Sequence, residues 1–274
     1  MLRSEREDRI VSLLAEAESG LLRVKDLSAS LGVSQMTIRR DLESLEERGL
    51  VRRVRGGAMH MDNALLFEKS FRRRGREFFY EKIAIGRAAA AHVKDGDVII
   101  LDAGTTTLQV ARHIRAQRVT AVTNALPVAA ELAARPSVSS ILLGGNLKGP
   151  ELCTVGPMVS ESLAEMAADT LFLSAAGFSP ERGLMDPDMR EAAVKRSMIQ
   201  AARRVILVAD SSKYQAICFA HIAPIGQLDL LITDTGLSDD ARRALAAAGV
   251  RLELVEPGPR SAAKAAAAQR ERGA

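Results

Sequence analysis

Two groups of residues have the types and spacing to do chemistry. The first is Asp102-Ala103-Gly104-Thr105-Thr106-Thr107, which directly follows the apolar run Val98-Ile99-Ile100-Leu101. A glycine turn lets the backbone approach a ligand, free N–H groups at a helix start favour an anion, and three hydroxyls add donors, so a phosphate fits. The same turn also suits a plain strand exit capped by threonines, so the other strand ends decide its meaning. They are polar too: Thr123-Asn124 follows a second apolar run, Gly144-Gly145 a third, and Asp210-Ser211-Ser212-Lys213 the run Val205–Val208. On one edge of a parallel sheet these ends would line a single pocket.

The second group is Ser34-Gln35-Met36-Thr37-Ile38-Arg39-Arg40. Ser34 is a favourable N-cap, and Ile38, Leu42 and Leu45 fall on one helical face, which must be the core side. Met36, Arg40 and Glu43 point the other way, flanked by Thr37 and Arg39. The outward face is cationic at its amino end, with acids only toward the carboxyl end. That polarity suits a helix entering a DNA major groove by its amino end, with Gln35, Thr37, Arg39 and Arg40 within reach of base edges or phosphates. Arg52, Arg53 and Arg55 follow with no acid between residues 48 and 61, a second cationic element for backbone contact. A solvated helix face would also show an Arg-Arg pair; the basic strand beside it is what argues for nucleic acid.

The elements that must hold these groups can be read from periodicity. Ile10, Leu13, Leu14 and Ala17 predict a helix over 4–18, Leu22–Val24 a short strand, Val24–Leu31 a second helix ended at Gly32, and a third helix from Ser34 to about Arg48. Leu50–Arg55 alternates as a strand that Gly56-Gly57 turns. Residues 1–57 therefore read as a winged helix-turn-helix, and 58–80, which lack a period, as a linker. Over 81–256 seven apolar runs alternate with helical segments, the signature of a parallel sheet covered by helices. A helix is expected from Leu108 to about Arg115, behind the glycine-threonine loop. Residues 257–274 form a basic tail, expected to be disordered or a frayed helix.

Composition narrows the function. Of 274 residues, 47% are hydrophobic and 26% charged, which excludes wholesale disorder. Aromatics are only 3%, with no Trp, so a base- or glycan-stacking surface is not expected. The net charge of +4 divides as +3 over residues 1–80, −2 over 81–256 and +3 over 257–274, which puts a polyanion partner at the amino-terminal unit. Two distant cysteines, four scattered histidines and no long apolar run predict a cytoplasmic protein with no metal, no cofactor and no membrane partner.

The run Ser34-Gln35-Met36-Thr37-Ile38-Arg39-Arg40-Asp41-Leu42, with Leu45-Glu46 and Arg53-Val54-Arg55-Gly56-Gly57-Ala58, closely resembles the helix-turn-helix signature of DeoR-type bacterial transcriptional regulators, the family that includes the glycerol-3-phosphate regulon repressors. Many members have His where this chain has Arg55. The resemblance extends to about residue 256 and implies a sensor domain similar in fold to ribose-5-phosphate isomerase, which binds phosphorylated sugars or related metabolites. It makes the 102–107 loop the phosphate cradle and places Glu191, Lys195, Asp210 and Lys213 near the sugar. Glu191 and Lys195, at i and i+4, equally fit a surface helix pair. An isomerase is the alternative, but the acid-rich loop of those enzymes is replaced here by Ser174-Ala175-Ala176-Gly177-Phe178. The expectation is therefore a non-enzymatic repressor, controlled by a phosphorylated sugar or polyol effector, that binds double-stranded operator DNA as a homodimer or homotetramer.

Overall fold

The computed structural model describes residues 3–16, 21–48, 50–54, 56–60, 71 and 74–258. The chain divides into two compact units, residues 1–70 and 71–274.

In the first unit, α1 (Arg3–Glu16), β1 (Leu21–Arg23), α2 (Val24–Leu31), α3 (Gln35–Glu47), β2 (Val51–Val54) and β3 (Gly57–His60) follow one another. Ile10, Leu14, Leu27, Ile38, Leu42, Leu45 and Val51 form its core, so the α3 face expected to point inward does so. Gly32 ends α2 in the left-handed region, at φ 64°, where a side chain would be strained. The strands form a three-stranded sheet in the order β1-β3-β2. The winged helix-turn-helix expected from the sequence is present, with one correction at its boundary. The segment 58–80 was expected as a linker, yet β3 takes residues 58–60 and the next long helix begins at Phe79. β3 is the central strand, pairing with β1 over residues 57–59 and with β2 over residues 57–60; a Cβ at Gly57 would stand 2.4 Å from the Leu22 carbonyl oxygen, so the close approach of β1 requires glycine there. Residues 61–70, and the tail from 259, lie outside the described residues.

A buried ion pair locks the first unit. Arg6 donates to both carboxylate oxygens of Asp41 on α3, at 2.6 and 3.1 Å, and Asp41 is 2% exposed. A charged pair of hydrogen bonds of this kind contributes about 2 kcal/mol. Asp41→Ala should lower the unfolding free energy of the first unit by about that amount, seen as a lower midpoint in urea titrations, and an unchanged midpoint would show the pair to be idle.

The second unit continues with α4 (Phe79–Ala90), β4 (Val98–Leu101), α5 (Thr105–His113), β5 (Val119–Thr123), α6 (Leu126–Ala133), β6 (Val138–Leu142), β7 (Asn146–Lys148), β8 (Cys153–Val155) and α7 (Pro157–Ala164). Then come β9 (Thr170–Leu173), β10 (Gly177–Ser179), β11 (Gly183–Asp186), α8 (Met189–Gln200), β12 (Val205–Val208), β13 (Ala220–Ala223), β14 (Leu230–Asp234), α9 (Asp239–Ala247) and β15 (Leu252–Val255). All seven apolar runs become strands of one parallel sheet, in the order β15-β14-β12-β9-β4-β5-β6. Central strands such as β9 and β12 are buried along their whole length, as strands covered on both faces must be. β6 begins at Val138, three residues before the apolar run, because this edge strand is exposed and carries Ser139 and Ser140. Helix α5 also begins three residues earlier than the expected Leu108, so all three threonines of the loop lie in its first turn.

The topology fixes where a ligand belongs. From β4 the chain moves to β5 and β6 on one side; it later returns beside β4 as β9 and proceeds to β12, β14 and β15 on the other. The order reverses between β4 and β9, and the crevice outside the carboxyl ends of two such strands is the general binding position in open α/β sheets. Asp102 follows β4 there, and Ser174 follows β9.

Candidate functional site

On the reading head, Ser34 caps α3: its hydroxyl accepts from the Thr37 amide at 3.2 Å and lies 2.9 Å from the Thr37 hydroxyl. These two side chains therefore set the start of the helix. Gln35, Met36, Arg39 and Arg40 are all exposed, Met36 by 61%. Arg53 on β2 pairs with Glu43 at 2.8 Å, while its amide donates to Glu46. The carboxyl end of α3 and the wing are thus joined by the acids that end the helix. The side chains of Arg52 and Arg55 lie outside the described residues.

In the second unit the crevice between β4 and β9 holds a buried polar network. Lys195 of α8 is 2% exposed and its ammonium donates to Asp102, to the Ser174 hydroxyl at 3.0 Å and to the Ser174 carbonyl at 3.2 Å. Ser174 donates to Asp102 from its amide at 3.0 Å and from its hydroxyl at 2.8 Å. Asp186, at the end of β11, stands 3.7 Å from the same ammonium. Burial pulls the Lys195 ammonium down, but Asp102, Asp186 and Glu191 outweigh it and hold it above the usual lysine range. Lys195 is a fixed cation.

Beside this network α5 starts without a side-chain cap, since Gly104 has none to offer. A Cβ at Gly104 would stand 3.1 Å from the Ser174 Cβ and 3.2 Å from the Thr107 hydroxyl, so only glycine fits comfortably there. Thr107 turns its hydroxyl back to the Gly104 carbonyl at 2.9 Å; Thr105 is half-buried and Thr106 buried. The first amides of an α-helix have no intrahelical acceptor, so an anion or water must satisfy them.

The other expected residues are placed more widely. Glu191 is buried rather than lying in a surface pair with Lys195; it pairs with Lys148 of β7, which also reaches Asp188 at 3.1 Å. Asn124 is buried and donates to the Thr154 carbonyl at 2.8 Å, while its Oδ1 has no partner among the described residues. Gly144 and Gly145 follow β6, two strands or about 10 Å from β4, and lead into the β7–β8 hairpin. Asp210 is buried after β12, and Lys213 is half-buried on the short turn Ser211–Lys213. The structure joins Asp102 and Lys195 through Ser174 and sets Gly104 and Thr107 beside them; Asn124 follows β5 and Lys213 follows β12, the strands next to β4 and β9, Glu191 pairs with Lys148, and the two glycines follow the edge strand β6. Ser174, Asp186 and Lys148 were not anticipated. The strand-end rule that selected Asp102 applies equally to Ser174, whereas nothing local marks the other two.

Asp186 carries a pH dependence. Burial raises its carboxyl above the usual range, with Lys195 opposing. The folded chain then retains a proton that the unfolded chain releases, so this group loses stability as pH rises through the ordinary carboxylate range. Asp186→Asn keeps an acceptor for the Asp188 amide, now bonded at 2.9 Å. It should make the protein more stable than wild type at pH 7, with the difference shrinking toward pH 4 in thermal melts; a difference growing in acid would reverse the assignment.

Among the described residues no cluster of His, Cys, Asp or Glu could hold a metal ion, and no helix is long and apolar enough to cross a membrane. Burial raises the Cys153 thiol to about 12, which leaves it inert as a nucleophile.

Both units match family models: the DeoR-like helix-turn-helix domain over residues 6–64 and the DeoR C terminal sensor domain over residues 78–235. The chain is 37% identical to the uncharacterized HTH-type transcriptional regulator YulB of Bacillus subtilis, over 93% of this chain and 98% of that protein. It is 36% identical to the HTH-type transcriptional regulator GlpR of Haloferax volcanii, over 91% and 97%. With the HTH-type transcriptional repressor GlcR of Bacillus subtilis it shares 35% identity over 83% and 88%. A ribose 5-phosphate isomerase of Methanocaldococcus jannaschii overlays 48% of this chain and 53% of its own at 18% identity and a TM-score of 0.35, a likeness too distant to bear on activity. With a reading head and a sensor unit each matched along most of its length, the chain belongs to the DeoR family of helix-turn-helix transcriptional regulators and is not an enzyme.

Proposed function

We propose that this regulator represses a carbohydrate or polyol catabolic operon and is controlled by a phosphorylated sugar or polyol bound at the β4–β9 crevice. The observation that carries the reading is the junction of an uncapped α5 start, Thr105 to Thr107, with the buried Asp102–Lys195–Ser174 network. The helix start suits a phosphate and the network suits hydroxyls, so one phosphosugar satisfies both. Asn124, Asp210 and Lys213 extend the lining, and Lys148 holds Glu191 toward it. The names of two relatives, the repressor GlcR and a putative aga operon transcriptional repressor of Escherichia coli, agree with repression. Calorimetry of the full chain against a panel of sugar and polyol phosphates, with the unphosphorylated parents as controls, tests the site. Parents binding as well as phosphates would remove the phosphate cradle.

On the DNA side, Gln35, Met36, Thr37, Arg39 and Arg40 read the groove and the wing arginines hold the backbone. Arg40→Ala should weaken the operator complex by about 1–3 kcal/mol and relax sequence preference. Arg53→Ala should weaken operator and random DNA alike and reduce the salt slope by about 1. Gel shifts at two salt concentrations separate the two roles. One head covers one half-site, so the working species is a homodimer or homotetramer; light scattering of a monomer with full operator affinity would contradict this.

A further inference from the structure

The sensor unit's first residues carry a cation that nothing above uses. Residues 74–76 are helical, and Gly75 lies against the first turn of α5: a Cβ built there would stand 3.8 Å from the Thr105 methyl. Lys82 of α4 is buried, 5% exposed, and spends its ammonium on backbone, donating to the carbonyls of Arg74 and of Glu77, the latter at 2.7 Å. Burial lowers the Lys82 ammonium from its usual range, with Asp210 opposing. A buried lysine bound to two carbonyls has one structural effect, which is to pin residues 74–77 beside the loop that starts α5. The Arg74 guanidinium then reaches Glu151, in the short turn Gly149–Glu151 that follows Lys148. Its Nε is buried and has no partner among the described residues. The charges of Glu191 and Asp186, both belonging to the candidate site, also act on it.

We propose that Arg74 is a ligand-responsive arm of the effector site: paired with Glu151 in this structure, it turns to the anionic group of a ligand at the α5 start. This rests on the phosphosugar reading of that site. A planar guanidinium binds a phosphate through paired hydrogen bonds, and a dianion beside free helix amides outcompetes a partly exposed carboxylate for it. Arg74 is also the described residue of the sensor unit that lies nearest in sequence, after Phe71, to residues 61–70, which join it to the reading head. A ligand that draws Arg74 from Glu151 therefore breaks a side-chain tie between residues 74–77 and the turn Gly149–Glu151, close in sequence to that connection. Differential contact of this kind is what coupling between two sites requires.

The test uses the full chain, with inorganic phosphate and ribose 5-phosphate as probes, in calorimetry and in hydrogen exchange of peptides spanning 71–82. Arg74→Ala should weaken both probes at least about tenfold, the loss expected for charge-assisted hydrogen bonds. Glu151→Gln should strengthen both several-fold, and should give the 71–82 peptides, without ligand, the exchange that wild type reaches only with probe bound. Circular dichroism melts of each variant verify the fold, and Arg74→Lys, which keeps charge but not the paired geometry, should fall between wild type and Arg74→Ala. Wild-type affinity in both Arg74→Ala and Glu151→Gln would overturn the arm and leave the pocket standing. A wild-type protein that binds neither probe would overturn the pocket and the arm together.

Discussion

Replacing Lys195 by methionine is expected to destabilise the sensor unit by about 3–5 kcal/mol, the largest single effect in the molecule. The reason is arithmetic of charge: the ammonium is the cation between Asp102 and Asp186, all three are buried, and removal leaves two carboxylates facing each other. Ser174 still donates two hydrogen bonds to Asp102, which softens the loss without neutralising it. Two further measurements separate stranded charge from lost packing. The Lys195→Met/Asp102→Asn double variant should recover most of the stability in urea unfolding at pH 7, since asparagine still accepts from Ser174. The single variant should also be less impaired at pH 5 than at pH 7, because without the opposing ammonium Asp186, already raised by burial, retains a proton more readily. A double variant as unstable as the single one would mean that the long lysine stem, and not its charge, holds α8 against the sheet.

The contrast between what the sequence announces and what the fold adds follows from range. Val98–Leu101, Thr170–Leu173 and Val205–Val208 are legible as strands because strands buried on both faces need unbroken apolar runs. Once those runs are parallel, the polar residues after them share an edge, so Asp102 and its loop are legible too. The short antiparallel strands β10, β11 and β13 are not, because three or four residues such as Gly177-Phe178-Ser179 carry no period. Ion pairs are least legible of all. Lys195 meets Asp102 across 93 residues and Arg6 meets Asp41 across 35. Glu191 and Lys195, one helical turn apart, suggest each other as partners, yet α8 turns both inward, toward Lys148 and Asp102 respectively. Local spacing identifies which residues share a helix face; only the packed sheet decides what that face meets.

Saturating effector is expected to release operator DNA, lowering affinity roughly 5–150-fold, the range of ordinary coupling between two sites. The α5 amides have no side-chain cap, and the half-buried Lys213 lies on the turn that follows the buried Asp210. A phosphate supplies the missing acceptor and draws the nearby cations, so the liganded arrangement differs from the empty one in contacts and not merely in occupancy. Thr106→Val removes a hydroxyl with little change of volume, and Lys213→Ala removes a cation; both should weaken the effector and shift release to higher concentrations. Thr105→Glu places a carboxylate at the helix start, where it satisfies the amides from within. That variant should bind effector poorly and hold operator with an affinity closer to the liganded wild type. Operator titrations with and without the best ligand of the panel read all four proteins. Normal ligand affinity in Thr106→Val and Lys213→Ala would put the pocket elsewhere. Ligand binding to wild type with unchanged operator affinity would mean that the contacts a ligand makes at the β4–β9 crevice do not reach the reading head.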